Sequence, residues 1–123
     1  MIIGCLLTTE MSVQAQSIST DVISVDGRKL FEVSEAGQFS AESRAADANL
    51  ILREVVRFPD PVKVEIVEIN QLPVILVNSR HLLTVTQEDT FTGRTKQEQA
   101  KIWVQRIREA VQQGQEERRL SYF

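Results

Sequence analysis

The chain has 123 residues, 42% of them hydrophobic and 25% charged, which suits one globular domain able to bury a core without staples. A net charge of −3 and an isoelectric point near 5.2 give no general drive toward nucleic acid or anionic lipid. One cysteine excludes an internal disulfide and a thiolate metal site, and leaves the compartment open, because a domain of this size is stable without disulfides.

Met1 to Leu7 is apolar, and Val13-Gln14-Ala15 has the small-x-small form of a signal-peptidase site. No basic segment precedes the apolar run, and Glu10 interrupts it. Residues 1–19 are therefore read as either a signal-peptide remnant or a plain disordered tail. Ile2-Ile3-Gly4-Cys5 fits a lipoprotein box only loosely, and Cys5 reads as part of an unstructured segment rather than as a nucleophile.

The domain itself is expected over residues 20–119. Val22 to Val25 and Leu30 to Val33 flank Asp26-Gly27, a strong hairpin signal in which Gly27 supplies the positive φ of a primed turn. Ser34 to Phe39 reads as a loop. Ser40 is a helix N-cap, with Glu42 in the first turn. Ala41, Ala45, Ala48, Leu52 and Val55 then mark one buried helical face, while Arg44, Asp47, Arg53, Glu54 and Arg57 fall largely on the others. Pro59-Asp60-Pro61 stops that helix.

Val62 to Ile66 alternates as a strand with one wet face, and the phase flip at Val67 and Ile69 predicts a bulge or a strand end. Val74 to Val77 is apolar at every position, as in a strand covered on both faces. A polar break at Asn78-Ser79-Arg80 joins it to Leu82 to Thr86, completing a central hairpin. Gln87 to Arg94 reads as a loop. Thr95-Lys96-Gln97-Glu98 is a capping box, and Ala100, Trp103, Val104, Ile107 and Val111 form the buried stripe of the last helix, which Gly114 either ends or weakens. Residues 120–123 form a tail. The expectation is an α+β domain of order ββαβββα, a small mixed or antiparallel sheet with two helices on one side.

The chain offers little for chemistry. His81 is the only histidine, and it reads as a half-exposed packing residue at a strand start. Glu88-Asp89 and Glu116-Glu117 are carboxylate pairs, but adjacent side chains diverge, so both read as solvated surface. The glycines form no phosphate-binding loop, and the arginines of the first helix have acidic neighbours, which indicates a solvated face. No catalytic, cofactor-binding or metal-binding residue is assigned, and the chain is read as a non-enzyme without cofactors.

Five segments together carry a resemblance: Val25-Asp26-Gly27-Arg28, Phe39 to Ala45, Asn70-Gln71-Leu72-Pro73, Leu82-Leu83-Thr84-Val85-Thr86 and Gln99 to Trp103. The series resembles the extracytoplasmic N-terminal domain of bacterial small-conductance mechanosensitive ion channel (MscS-like) proteins, over roughly Val22 to Arg119. That family often carries tyrosine where His81 stands. The resemblance implies a periplasmic sensor, regulatory or assembly domain, membrane-associated in the full-length protein and lacking the pore itself. Its partner would be the membrane-embedded channel region, with a homo-oligomer possible and nucleic acid not expected; no ligand is implied. The alternative is a free-standing envelope module that binds a protein or the cell wall at an exposed sheet edge.

Overall fold

The computed structural model describes residues 19–90 and 93–121. Strands β1 (Thr20–Val25) and β2 (Arg28–Ser34) precede helix α1 (Ala41–Val56), and β3 (Val64–Ile69), β4 (Leu72–Val77) and β5 (Arg80–Thr84) precede helix α2 (Lys96–Leu120). The order ββαβββα and the α+β class follow the sequence pattern. The strands divide into two antiparallel sheets, β1-β2 and β3-β4-β5. One apolar core joins them: Ile23, Phe31 and Val33 of the first sheet and Ile75, Val77 and Leu83 of the second share a cluster with both helices.

All three hairpins turn through two residues, Asp26-Gly27, Asn70-Gln71 and Asn78-Ser79, each with positive φ at both positions. That backbone matches the twist of the flanking strands. Asn70-Gln71 is thus a full turn rather than a lead-in, and Arg80 belongs to β5. No bulge occurs at Val67, because β3 pairs with β4 without interruption from Val64↔Val77 to Ile69↔Leu72; of the two expected outcomes, the strand end is found, at Ile69. The phase flips because the outer face of this sheet has apolar residues of its own: Val67 lies opposite Val74, and Ile69 opposite Leu72. Register shifts occur instead at Ile23/Ser24 and at Ile75/Leu76.

The helices form as their caps direct. The Ser40 hydroxyl accepts from the Ser43 amide, and Thr95 and Glu98 bond each other's backbone amides at 3.1 and 2.8 Å. The expected faces are buried, from Ala41 to Val55 in α1 and from Ala100 to Val111 in α2. Gly114 does not end α2, which continues through Leu120. Trp103 is fully buried and stacks on Phe31, with ring centroids 4.1 Å apart and planes 8° apart. Residues 1–18, including Cys5 and the signal-like segment, lie outside the described residues.

Candidate binding groove

Two readings of charged residues are corrected first. Glu88 is exposed as expected, but Asp89 is buried and accepts from the amides of Ser34 and Thr86, both at 2.9 Å. Arg44 is not on a solvated helix face: its side chain is 9% exposed and forks onto both Asp89 oxygens at 3.0 Å. The same guanidinium donates to the carbonyls of Ser34 and Thr84. A planar, permanently charged fork can serve four acceptors at once, which is why arginine stands here.

The sequence did contain a signal for Asp89. Thr86-Gln87-Glu88-Asp89 has the spacing of a capping box, and it closes a 3₁₀ turn over Gln87–Asp89. Nothing comparable marked Asn49. Its side-chain amide leaves α1 to accept from the Ser24 N–H at 2.9 Å and to donate to the Val22 carbonyl at 3.1 Å, bonding the helix to β1 beside the bulge.

These contacts set the position of α1 along β5. Arg44 bonds Thr84 at one end, and Arg80 donates to Glu54 at 2.8 Å at the other. Between the two ties lies a groove of about 790 Å³, bounded by α1, by β5 and by the turn Ala36 to Phe39. Ile51, Leu82 and Leu83 supply its apolar floor, and Phe39 and Leu50 stand 57% and 50% exposed on its walls. Such half-wet large apolar side chains around one concavity are the usual mark of a binding surface. His81, read from the sequence as a half-exposed packing residue, is exposed at the rim, and one ring nitrogen lies 2.9 Å from the Thr84 hydroxyl.

A second feature lies at the far end of α2. Arg118 forks onto Asp26 at 2.7 and 2.8 Å, and Arg28 meets Glu117 at 2.6 Å. The Gln115 amide donates to the carbonyls of Phe58 and Asp60 at 2.7 and 2.9 Å. The Arg118 hydrogen bond holds the Asp26 carboxyl below its usual pKa, against a smaller opposing effect of burial. Glu116-Glu117, which was read as solvated surface, is exposed, and each glutamate bonds an arginine.

Among the described residues no cluster of three or more His, Cys, Asp or Glu is placed to hold a metal ion, and no helix is long and apolar enough to cross a membrane. No curated protein and no solved structure matches the chain. A family model described as a domain of unknown function (DUF8459) matches residues 21–114, most of the chain and every element up to the last turns of α2, so the chain belongs to that family.

Proposed function

We propose that the chain is a non-enzymatic extracytoplasmic accessory domain, for sensing, regulation or assembly, of a mechanosensitive-channel-like membrane protein, without the pore. The resemblance of its five sequence segments suggests that class. One structural observation supports it further: the last turns of α2 are fixed to the β1–β2 turn and to the α1–β3 loop. A 25-residue helix is roughly 37 Å long at ~1.5 Å per residue, and here its end does not swing independently of the body. In the full-length protein such a helix would transmit the orientation of a packed domain to the membrane span that follows. A domain that interacts differently with closed and open arrangements biases their balance, by about 1–3 kcal/mol in typical couplings.

The test is a deletion of Val22 to Gln113 from the full-length protein, followed by patch recording. Intact conductance with a shifted gating tension is the expected result. Intact conductance with an unchanged threshold removes regulation and leaves assembly or tethering, and lost conductance places the domain in the ion path.

The groove beside β5 favours a second reading, a free-standing envelope module that binds a protein or cell-wall ligand. Translating the genomic sequence downstream of Phe123 separates the two. An apolar span of about 20 residues supports the channel reading, and a stop codon supports the free-standing module.

A further inference from the structure

We propose that the outer edge of β5 receives an extended segment of a partner polypeptide, with one apolar side chain between Phe39 and Leu50 and one basic side chain reaching Asp47. This deepens the second reading above and rests on it, naming the sheet edge and the chemistry of the guest; the downstream translation tests that reading, and the peptide selection below tests the edge.

The backbone supplies the first argument. In an antiparallel pair, the residues of every second pair turn both their backbone groups away from the partner strand. The two-residue turn at Asn78-Ser79 closes on Val77 and Arg80, a bonded pair, so His81 opposite Leu76 points outward. The Val85 amide bonds the Pro73 carbonyl at 2.9 Å, so Thr84 opposite Val74 also points outward. Arg44 confirms that direction by donating to the Thr84 carbonyl from the groove side. The amides of His81 and Thr84 and the carbonyl of His81 are therefore presented to the groove as a strand edge, which an extended peptide satisfies in full.

Charge supplies the second. Of the charged side chains lining the groove, Arg44 is neutralised by Asp89 and Arg80 by Glu54. Asp47 is exposed and has no ion-pair partner among the described residues. It lies one helical turn past Arg44, between the Thr84 and Arg80 ties and nearer the first, so a cation on the guest is matched there. A second copy of this chain fits less well, since two β5 edges meeting about a two-fold axis would each bring an α1 against the other.

The experiment selects random nonapeptides, displayed on phage, against the whole chain. Enriched peptides are then synthesised and titrated with amide exchange read by NMR. The expected result is enrichment of alternating apolar residues with one Lys or Arg, and at least tenfold slower exchange at the His81 and Thr84 amides. Methylating alternate peptide amides should weaken binding at least tenfold, and so should Asp47→Lys, which a peptide with Glu in place of the base should rescue. Failure to enrich any such peptide overturns the proposal, as does equal binding of the methylated peptide or protection elsewhere on the surface. So does protection of His81 and Thr84 without peptide, whether it grows with protein concentration, indicating a second copy, or is lost on removing residues 1–18, indicating the chain's own N-terminal segment.

Discussion

Arg44 and Asp89 are 45 residues apart in the chain and meet through two hydrogen bonds of 3.0 Å, with side chains 9% and 0% exposed. The pair ties the start of α1 to the segment after β5, and through Ser34 it also holds the end of β2. Removing one partner leaves an uncompensated buried charge. Arg44→Ala and Asp89→Ala should each cost about 3–5 kcal/mol in urea denaturation. Arg44→Lys should recover only part of that, since an ammonium cannot reproduce the fork. A loss below about 1 kcal/mol for either alanine variant would show that the pair is dispensable.

Trp103 tests the core. Trp103→Ala removes the largest buried side chain and should cost about 3–5 kcal/mol. Among the described residues the buried indole N–H has no hydrogen-bond partner, so Trp103→Phe discards a polar group that makes no bond there and keeps a ring against Phe31. It should cost less than half as much as the alanine variant, as measured by thermal melting. Equal losses would mean that the indole nitrogen has a partner in solution.

Gly114 separates packing from helix propensity. On an exposed helix, glycine to alanine gains roughly 1 kcal/mol. Here a β-carbon would come within 2.6 Å of Val56 Cγ2 and 2.7 Å of Asp26 Oδ2. Gly114→Ala should therefore destabilise by about 1–3 kcal/mol, the range for overpacking. A higher melting temperature would show that α2 can shift off α1 and the first hairpin without penalty.

Acid should loosen the far end of α2. The folded pKa of Asp26 is lowered, chiefly by the Arg118 hydrogen bond, so its contribution is present above the unfolded carboxylate value and is lost as pH falls through the folded one. Wild type should exceed Asp26→Asn in stability at neutral pH, and the gap should close below about pH 4. Because the pair stays partly open to solvent, with side chains 36% and 25% exposed, the gap should stay under about 1 kcal/mol. A gap that widens in acid would reverse the assignment.

What the sequence disclosed follows from the range of each interaction. Capping residues, helical stripes and the Asp26-Gly27 turn are local, and Ser40, Thr95, Glu98 and Gly27 behave as their positions suggest. Arg44 and Asp89 looked like surface charges because nothing within a few residues of either names the other. The groove was equally hidden: Leu50, which no sequence pattern singled out, lies off the buried stripe of α1 and acquires meaning only when Phe39 and β5 arrive from elsewhere in the chain. The separation into two sheets depends likewise on which strand edges meet, and alternation of side chains does not report that.

α2 touches strands of both sheets, and Arg106 and Arg108 donate to the carbonyls of Leu30 in β2 and Val64 in β3 at 3.1 and 2.6 Å. A two-stranded hairpin is marginal in water by itself, and the three-stranded sheet turns Ile75 and Val77 toward a helix that belongs equally to its neighbour. Neither half can therefore melt alone while the other keeps its helix in place. The domain should come apart as one cooperative unit, and as the chain is synthesised the domain should remain open until the 25-residue α2 has been made and has closed over both sheets.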